Sequence, residues 1–125
     1  MKKVILIGGP PGSGKTTLAK TYSNNIYSSL FNFKEQIIIL DDVSNFVSDI
    51  EDIFKYLENV DLLIVTDPYL TFEKNISSAI SKFESHYFEV ESYILTVDFE
   101  ECKRRLNERS DGRIISDSFL LSFFN

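Results

Sequence analysis

The sequence predicts an α/β fold of three layers, a small, mostly parallel sheet flanked by helices. Three observations predict it. Apolar runs of strand length alternate along the chain with stretches whose apolar residues recur at helical spacing. The runs Val4-Ile5-Leu6-Ile7-Gly8 and Gln36-Ile37-Ile38-Ile39-Leu40 are almost unbroken, as in strands covered on both faces. A glycine-rich turn joins the first strand to the first helical stretch. With 125 residues, a single domain spanning 1–125 is expected, and roughly two-thirds of its surface can be buried on folding.

Each element has its own signal. After the strand Val4 to Gly8, Thr16 to about Leu30 is predicted as the first helix. Gln36 to Leu40 is the second strand, and Asp41-Asp42 ends it. Ser44 suits the N-cap of a helix that carries Phe46, Ile50, Ile53, Phe54 and Leu57 on one face. Asp61 to Thr66 is the third strand, stopped by Asp67-Pro68. Thr71 is expected to cap the next helix, whose inward side is Ile76, Ala79, Ile80 and Phe83. Phe88 to Val97 is a strand of mixed polarity, which suits a sheet edge. Glu100 to Arg109 reads as a basic helix, Ser110-Asp111-Gly112 as a turn, and Asp117 to Phe124 as a short last helix. Its apolar side chains suit packing on the sheet or contact with a partner.

Composition narrows the function. A 43% hydrophobic content with eleven Phe is ample for one core. The single Cys102 excludes an internal disulfide and suits a reducing compartment. No run approaches the roughly 20 apolar residues of a membrane span, and none resembles a signal peptide, so a cytoplasmic location is expected. The net charge of −6 disfavours a broad nucleic-acid surface. Yet residues 103–113 hold five bases against two acids, and such a compact positive segment suits a polyphosphate. His86 lies among polar residues at a helix end and reads as a surface residue.

The turn after the first strand carries the chemistry. It reads Gly9-Pro10-Pro11-Gly12-Ser13-Gly14-Lys15-Thr16, the Walker A pattern in its required setting between strand and helix. Backbone N–H groups must curl around phosphate oxygens, and side chains at Gly12 or Gly14 are expected to block that approach. Lys15 is placed to reach the β- and γ-phosphates, and the Thr16 hydroxyl to meet Mg²⁺. The fold is therefore expected to be a three-layer P-loop NTPase fold with ATP and Mg²⁺ as its ligands.

Ligands of an open α/β sheet sit beyond the carboxyl ends of its strands. Asp41, Asp42 and Asp67 fall there, and phosphoryl transfer needs one carboxylate for the metal and one for a proton. Asp67 ends an apolar strand in the manner of a metal-supporting acid, and Asp41 or Asp42 could face an acceptor. Arg105 and Arg109 share a face of the basic helix and could clamp the transferring phosphate. Arg113 is a further lid candidate. Cys102, one turn earlier, is expected to pack inside.

Taken in order, these segments resemble the P-loop kinases typified by the 5′-hydroxyl kinase domain of the bacteriophage polynucleotide kinase. The residues that carry the resemblance are Pro11 to Thr17, the paired acids Asp41-Asp42, the run Leu63 to Thr71 around Asp67, and the helix bearing Arg105 and Arg109. It implies transfer of the ATP γ-phosphate to a hydroxyl, on a nucleic-acid end or a small nucleoside-like molecule. It further implies catalytic roles for Lys15, Asp41 as base, Asp67 and Arg109. ATP would be bound by Gly9 through Thr17 with Arg105 and Arg109, and the metal by Thr16 and Asp67. Where that family carries an arginine that grips the acceptor phosphate, this chain has Ser44. A P-loop ATPase or switch and a catalytically silent nucleotide-binding subunit are the alternatives. A GTPase is disfavoured, because no Asn-Lys-x-Asp segment occurs.

Overall fold

The computed structural model describes residues 2–22, 26–27, 37–41, 46–109 and 115–124. Asp42, Ser44, Leu30, Gln36, the Ser110-Asp111-Gly112 turn and Arg113 lie outside the described residues.

Five parallel strands form one sheet in the order β2-β3-β4-β1-β5. They are β1 (Lys3–Gly8), β2 (Ile26–Tyr27), β3 (Ile37–Asp41), β4 (Leu62–Thr66) and β5 (Glu89–Ile94). The first strand lies between β4 and β5, so Ile5 is opposite Ile64 on one side and Glu91 on the other. Because side chains alternate across a strand, the unbroken apolar runs feed two cores. Val4, Leu6, Ile38, Leu40, Leu63 and Val65 pack with α2 (Phe46–Ile53) and α3 (Glu73–Ser85) through Ile50, Ile53 and Phe83. Ile5, Ile7, Ile39 and Ile64 pack on the other face with Leu18 and Ala19 of α1 (Lys15–Ala19). Each such buried side chain contributes about 1.5–3 kcal/mol of transfer free energy. Among the described residues no helix is long and apolar enough to cross a membrane.

Four local expectations are corrected. The first helix ends at Ala19 rather than near Leu30, and Ile26–Tyr27 runs parallel to β3. Thr21 N–H turns back to the Leu18 carbonyl and Tyr22 N–H to that of Ala19, a tightened last turn. The Thr21 hydroxyl takes the Leu18 carbonyl as well, at 2.6 Å, and competes with continuation of the helix. Thr71 does not cap α3. It ends a 3-10 turn, Pro68–Thr71, and its hydroxyl accepts the Gly9 N–H at 2.9 Å.

The edge strand is shorter than expected, six residues from Glu89. Its Glu91 is held by Lys3 at 2.6 Å and by the Tyr93 hydroxyl at 3.1 Å, charges that suit an unpaired edge. The apolar tail does not lie on the sheet. The last helix, α5 (Asp117–Leu121), packs at the carboxyl end, where Phe123 stacks on Phe72 and Phe124 meets Phe99 edge-on.

Candidate functional site

The parallel strands bring the Walker A loop, Asp41 and Asp67 to one end of the sheet. Loop shape is set by its neighbours. The Gly9 N–H is taken by Thr71, and Ser13 N–H donates to the Pro10 carbonyl at 3.0 Å. Gly12 has φ +84°, and a Cβ there would come within 2.7 Å of the Cys102 carbonyl. Gly12 is therefore required by its left-handed backbone and by the helix crossing above the loop, α4 (Phe99–Asn107). Gly14 has φ +98°, with only Arg105 Nη1, at 3.8 Å, near its missing Cβ. There the backbone conformation, not the space, calls for glycine.

Lys15 is only 6% exposed, and its ammonium donates to the Pro10 carbonyl at 3.0 Å. The α1 ladder starts with Leu18 N–H on the Gly14 carbonyl, so the amides of Thr16 and Thr17 precede it. Ser13 Oγ is buried with no hydrogen-bond partner among the described residues. A loop with this lining fits a triphosphate: open backbone at Gly14, a buried cation and amides outside the ladder.

Two carboxylates sit behind it in different ways. Asp41 Oδ1 accepts from the Thr16 hydroxyl and from the Thr66 hydroxyl, each at 2.6 Å. Thr66 is fully buried, and strand register sets it directly opposite Asp41. Thr66 was not singled out from the sequence. Its signal is positional, because it ends the strand that β3 pairs with. Asp67 is 4% exposed. Its Oδ1 accepts the Tyr69 N–H at 2.9 Å, which caps the Pro68–Thr71 turn, and its own N–H donates to Ile7.

The helix α4 starts where Asp98 accepts the Glu101 N–H, at 2.8 Å. One turn on, Glu101 accepts from both Arg104 and Arg105. Hydrogen bonding to Arg104, then to Arg105, holds the Glu101 carboxyl below its usual range. Arg105 Nη1 also points to the Gly12 carbonyl, at 3.4 Å, so this guanidinium bridges α4 and the loop. Cys102 is wholly buried, as expected, and burial pushes its thiol up. The exposed His86 ring stacks on Phe54 at 3.6 Å and is remote from these groups.

A cleft of about 570 Å³ runs from the loop across the strand ends. Pro11, Gly12, Gly14, Lys15, Thr16 and Thr17 form its loop wall, and Arg109 and Asp67 stand in the same cleft. Phe46, Val47, Ser48, Tyr69, Asn75 and Phe119 add walls from α2, from the turn before α3, from α3 itself and from α5. The structure thus brings Lys15, Thr16, Asp67 and Arg109 together, with Asp41 attached through Thr16 and Arg105 over the loop. Among the described residues, no group of three His, Cys, Asp or Glu side chains could hold a metal alone. The oxygen donors present, the Thr16 hydroxyl on Asp41 and the Asp67 carboxylate in the cleft, fit Mg²⁺, which takes oxygen ligands and relies on few of them from protein.

The family model described as AAA domain matches residues 5–118. A solved structure titled "Crystal structure of APE1195" aligns with a TM-score of 0.61 at 15% identity, covering 86% of this chain and 67% of that one. At that identity the likeness is one of fold. No curated protein matches the chain. Both similarities agree with a small parallel sheet between helices.

Proposed function

This chain belongs to the AAA domain family of P-loop proteins, and from that premise we propose that it is an ATP-dependent kinase acting on a hydroxyl. The observation that carries the proposal is the cleft beyond the loop. A hydrolase needs room for water only, whereas this cleft of about 570 Å³ is lined by Tyr69, Asn75 and Phe119 as well as by the loop and Asp67. The family includes kinases.

In this reading the loop from Gly9 to Thr17 holds the triphosphate, and Lys15 and Arg109 neutralise charge on the transferring group. Thr16 would hold Mg²⁺, with Asp41 behind it, and the metal would supply charge neutralisation to the phosphates. The acceptor oxygen forms its bond to the γ-phosphorus as the bond from that phosphorus to the bridging oxygen breaks. ADP leaves, and the hydroxyl proton passes to Asp67. The resemblance to polynucleotide kinase implies the converse division, Asp41 as base and Asp67 at the metal. The Thr16 hydroxyl bond to Asp41, and the place of Asp67 in the cleft wall, favour Asp41 behind the metal and Asp67 as the proton acceptor.

The test is incubation with γ-labelled ATP, Mg²⁺ and a panel of alcohols, nucleosides and 5′-hydroxyl oligonucleotides. Label on an acceptor is the expected result. Steady release of inorganic phosphate, with no acceptor labelled, would support the ATPase or switch reading instead. ATP binding with neither outcome points to a silent nucleotide-binding subunit.

A further inference from the structure

We propose that the phosphoryl acceptor is an uncharged, ring-bearing alcohol of nucleoside size, and not a phosphorylated or polymeric acceptor. The inference rests on the kinase reading and concerns the part of the cleft beyond the transferring phosphate. The cations among its described lining residues are Lys15 and Arg109, and both are engaged by the triphosphate in that reading. What remains beyond them is Phe46, Val47, Tyr69, Ile115 and Phe119, with Ser48 and Asn75 as neutral polar groups. Asp67 adds a negative charge to the same wall.

An acceptor that carries a phosphate would give up its water for a wall whose described residues leave no further cation to meet it, beside a carboxylate. A neutral ring meets the opposite situation. Tyr69 and Phe119 are 47% and 41% exposed, and both rings lean on the buried Phe123, at 5.6 and 5.3 Å. Two half-open aromatic faces on a fixed support are suited to stacking on a flat ligand. Asn75 donates its amide to the Tyr69 carbonyl at 2.9 Å, which orients its Oδ1 as an acceptor for a ring N–H or a hydroxyl.

The experiment uses the whole chain and isothermal titration. The β,γ-methylene analogue of ATP with Mg²⁺ is titrated first. Thymidine, cytidine, their 3′- and 5′-monophosphates and a 5′-hydroxyl oligonucleotide are then titrated into the analogue-loaded protein. The expected result is that a nucleoside binds about tenfold or more tightly than its monophosphates and the oligonucleotide, the discrimination that an unpaired buried charge brings. Phe119→Ala should weaken the nucleoside by about tenfold and leave the analogue unchanged, and Ser48→Arg should move the preference toward the monophosphates. Monophosphates or the oligonucleotide binding as well as the nucleoside would overturn the acceptor assignment, as would no nucleoside binding at all. Failure of the analogue itself to bind would remove the kinase reading, and this inference with it.

Discussion

The Thr16 hydroxyl donates to Asp41 Oδ1 at 2.6 Å, and Thr66 reaches the same oxygen from the neighbouring strand at the same distance. One carboxylate oxygen therefore fixes the loop threonine against the end of β4. Asp41→Asn keeps an oxygen for both hydroxyls and removes only the charge. It should leave the fold intact and raise the Mg²⁺ concentration needed for half-maximal activity by about tenfold or more. Asp41→Ala should in addition cost about 1–3 kcal/mol in urea unfolding, because the Thr16 and Thr66 hydroxyls lose their bonds to the carboxylate. An unchanged Mg²⁺ requirement in Asp41→Asn, with kcat reduced, would return the proton-accepting role to Asp41.

Two loop glycines should respond differently to alanine. At Gly14 the cost is backbone strain, about 1–2 kcal/mol, since φ is +98° and the space for Cβ is open. At Gly12 the same strain is joined by a 2.7 Å approach to the Cys102 carbonyl, which forces α4 off the loop. Chemical denaturation should rank Gly12→Ala clearly below Gly14→Ala. Equal losses would mean that α4 does not rest on Gly12.

One strained residue lies far from the cleft. Tyr87 has φ +65° and is 87% exposed, at the point where α3 turns into β5. The turn closes with Tyr87 N–H on Glu84 and Phe88 N–H on Phe83, while the Phe83 and Phe88 rings meet edge-on at 5.2 Å. These are the bonds and the apolar contact of a Schellman motif, whose left-handed position favours glycine. Tyr87→Gly should stabilise the protein by about 0.5–1 kcal/mol, after the entropy that glycine adds to the unfolded chain is offset. A lower midpoint in urea would contradict this.

How far the sequence foretold this arrangement depended on whether a feature was local. The strands β1, β3 and β4 were legible because a strand buried on both faces must be apolar at every position, whatever packs on it. The loop was legible because its fixed residues follow one another between a strand and a helix, although the contact of Gly12 with α4 was not. The length of α1 was not, because Thr21 and Tyr22 can close a last turn or continue one, and nothing within the segment decides. Thr71 looked like a cap, yet its hydroxyl serves Gly9, a residue 62 positions away. Asp41 and Asp67 were both found from their places at strand ends. Which one meets Thr16 depends on strand order, since β3 lies beyond β4 from the loop strand. The aromatic wall was invisible for a similar reason: it forms only when Phe123 lands on Phe72.

Cys102 should behave as an interior group. Its side chain is fully buried and its thiol is pushed up by burial, so alkylating reagents should reach it only when the chain opens. A thiol raised in the folded state stabilises the fold below its unfolded value, about pH 8.5, and that contribution is lost as pH rises through the folded value. Urea midpoints between about pH 7.5 and 10 should therefore fall less in Cys102→Ala than in the parent chain. Tyr93 and Lys3, also raised, titrate equally in both proteins and cancel. Rapid labelling of the native protein at neutral pH would contradict the buried position.

The two arginines, Arg105 on α4 and Arg109 just past its end rather than on the same helix face, should separate kinetically. Arg105 is held by Glu101 at 3.1 Å and leans over the loop toward the Gly12 carbonyl, the part that in the proposed function holds phosphates in every state. Arg109 lines the same cleft as Asp67, and in the proposed reaction it meets the phosphoryl group as its charge changes. Removing uniform binding raises KM and leaves kcat, whereas removing a contact made mainly in the transition state lowers kcat. Arg105→Ala should thus weaken ATP about tenfold with kcat nearly intact, and Glu101→Gln should reproduce part of that loss by loosening Arg105. Arg109→Ala should lower kcat by about 10²–10³ with the ATP Kd within a few-fold. Steady-state kinetics set beside equilibrium binding of the methylene analogue distinguishes the two. The assignment fails if Arg109→Ala loses ATP affinity and keeps its turnover.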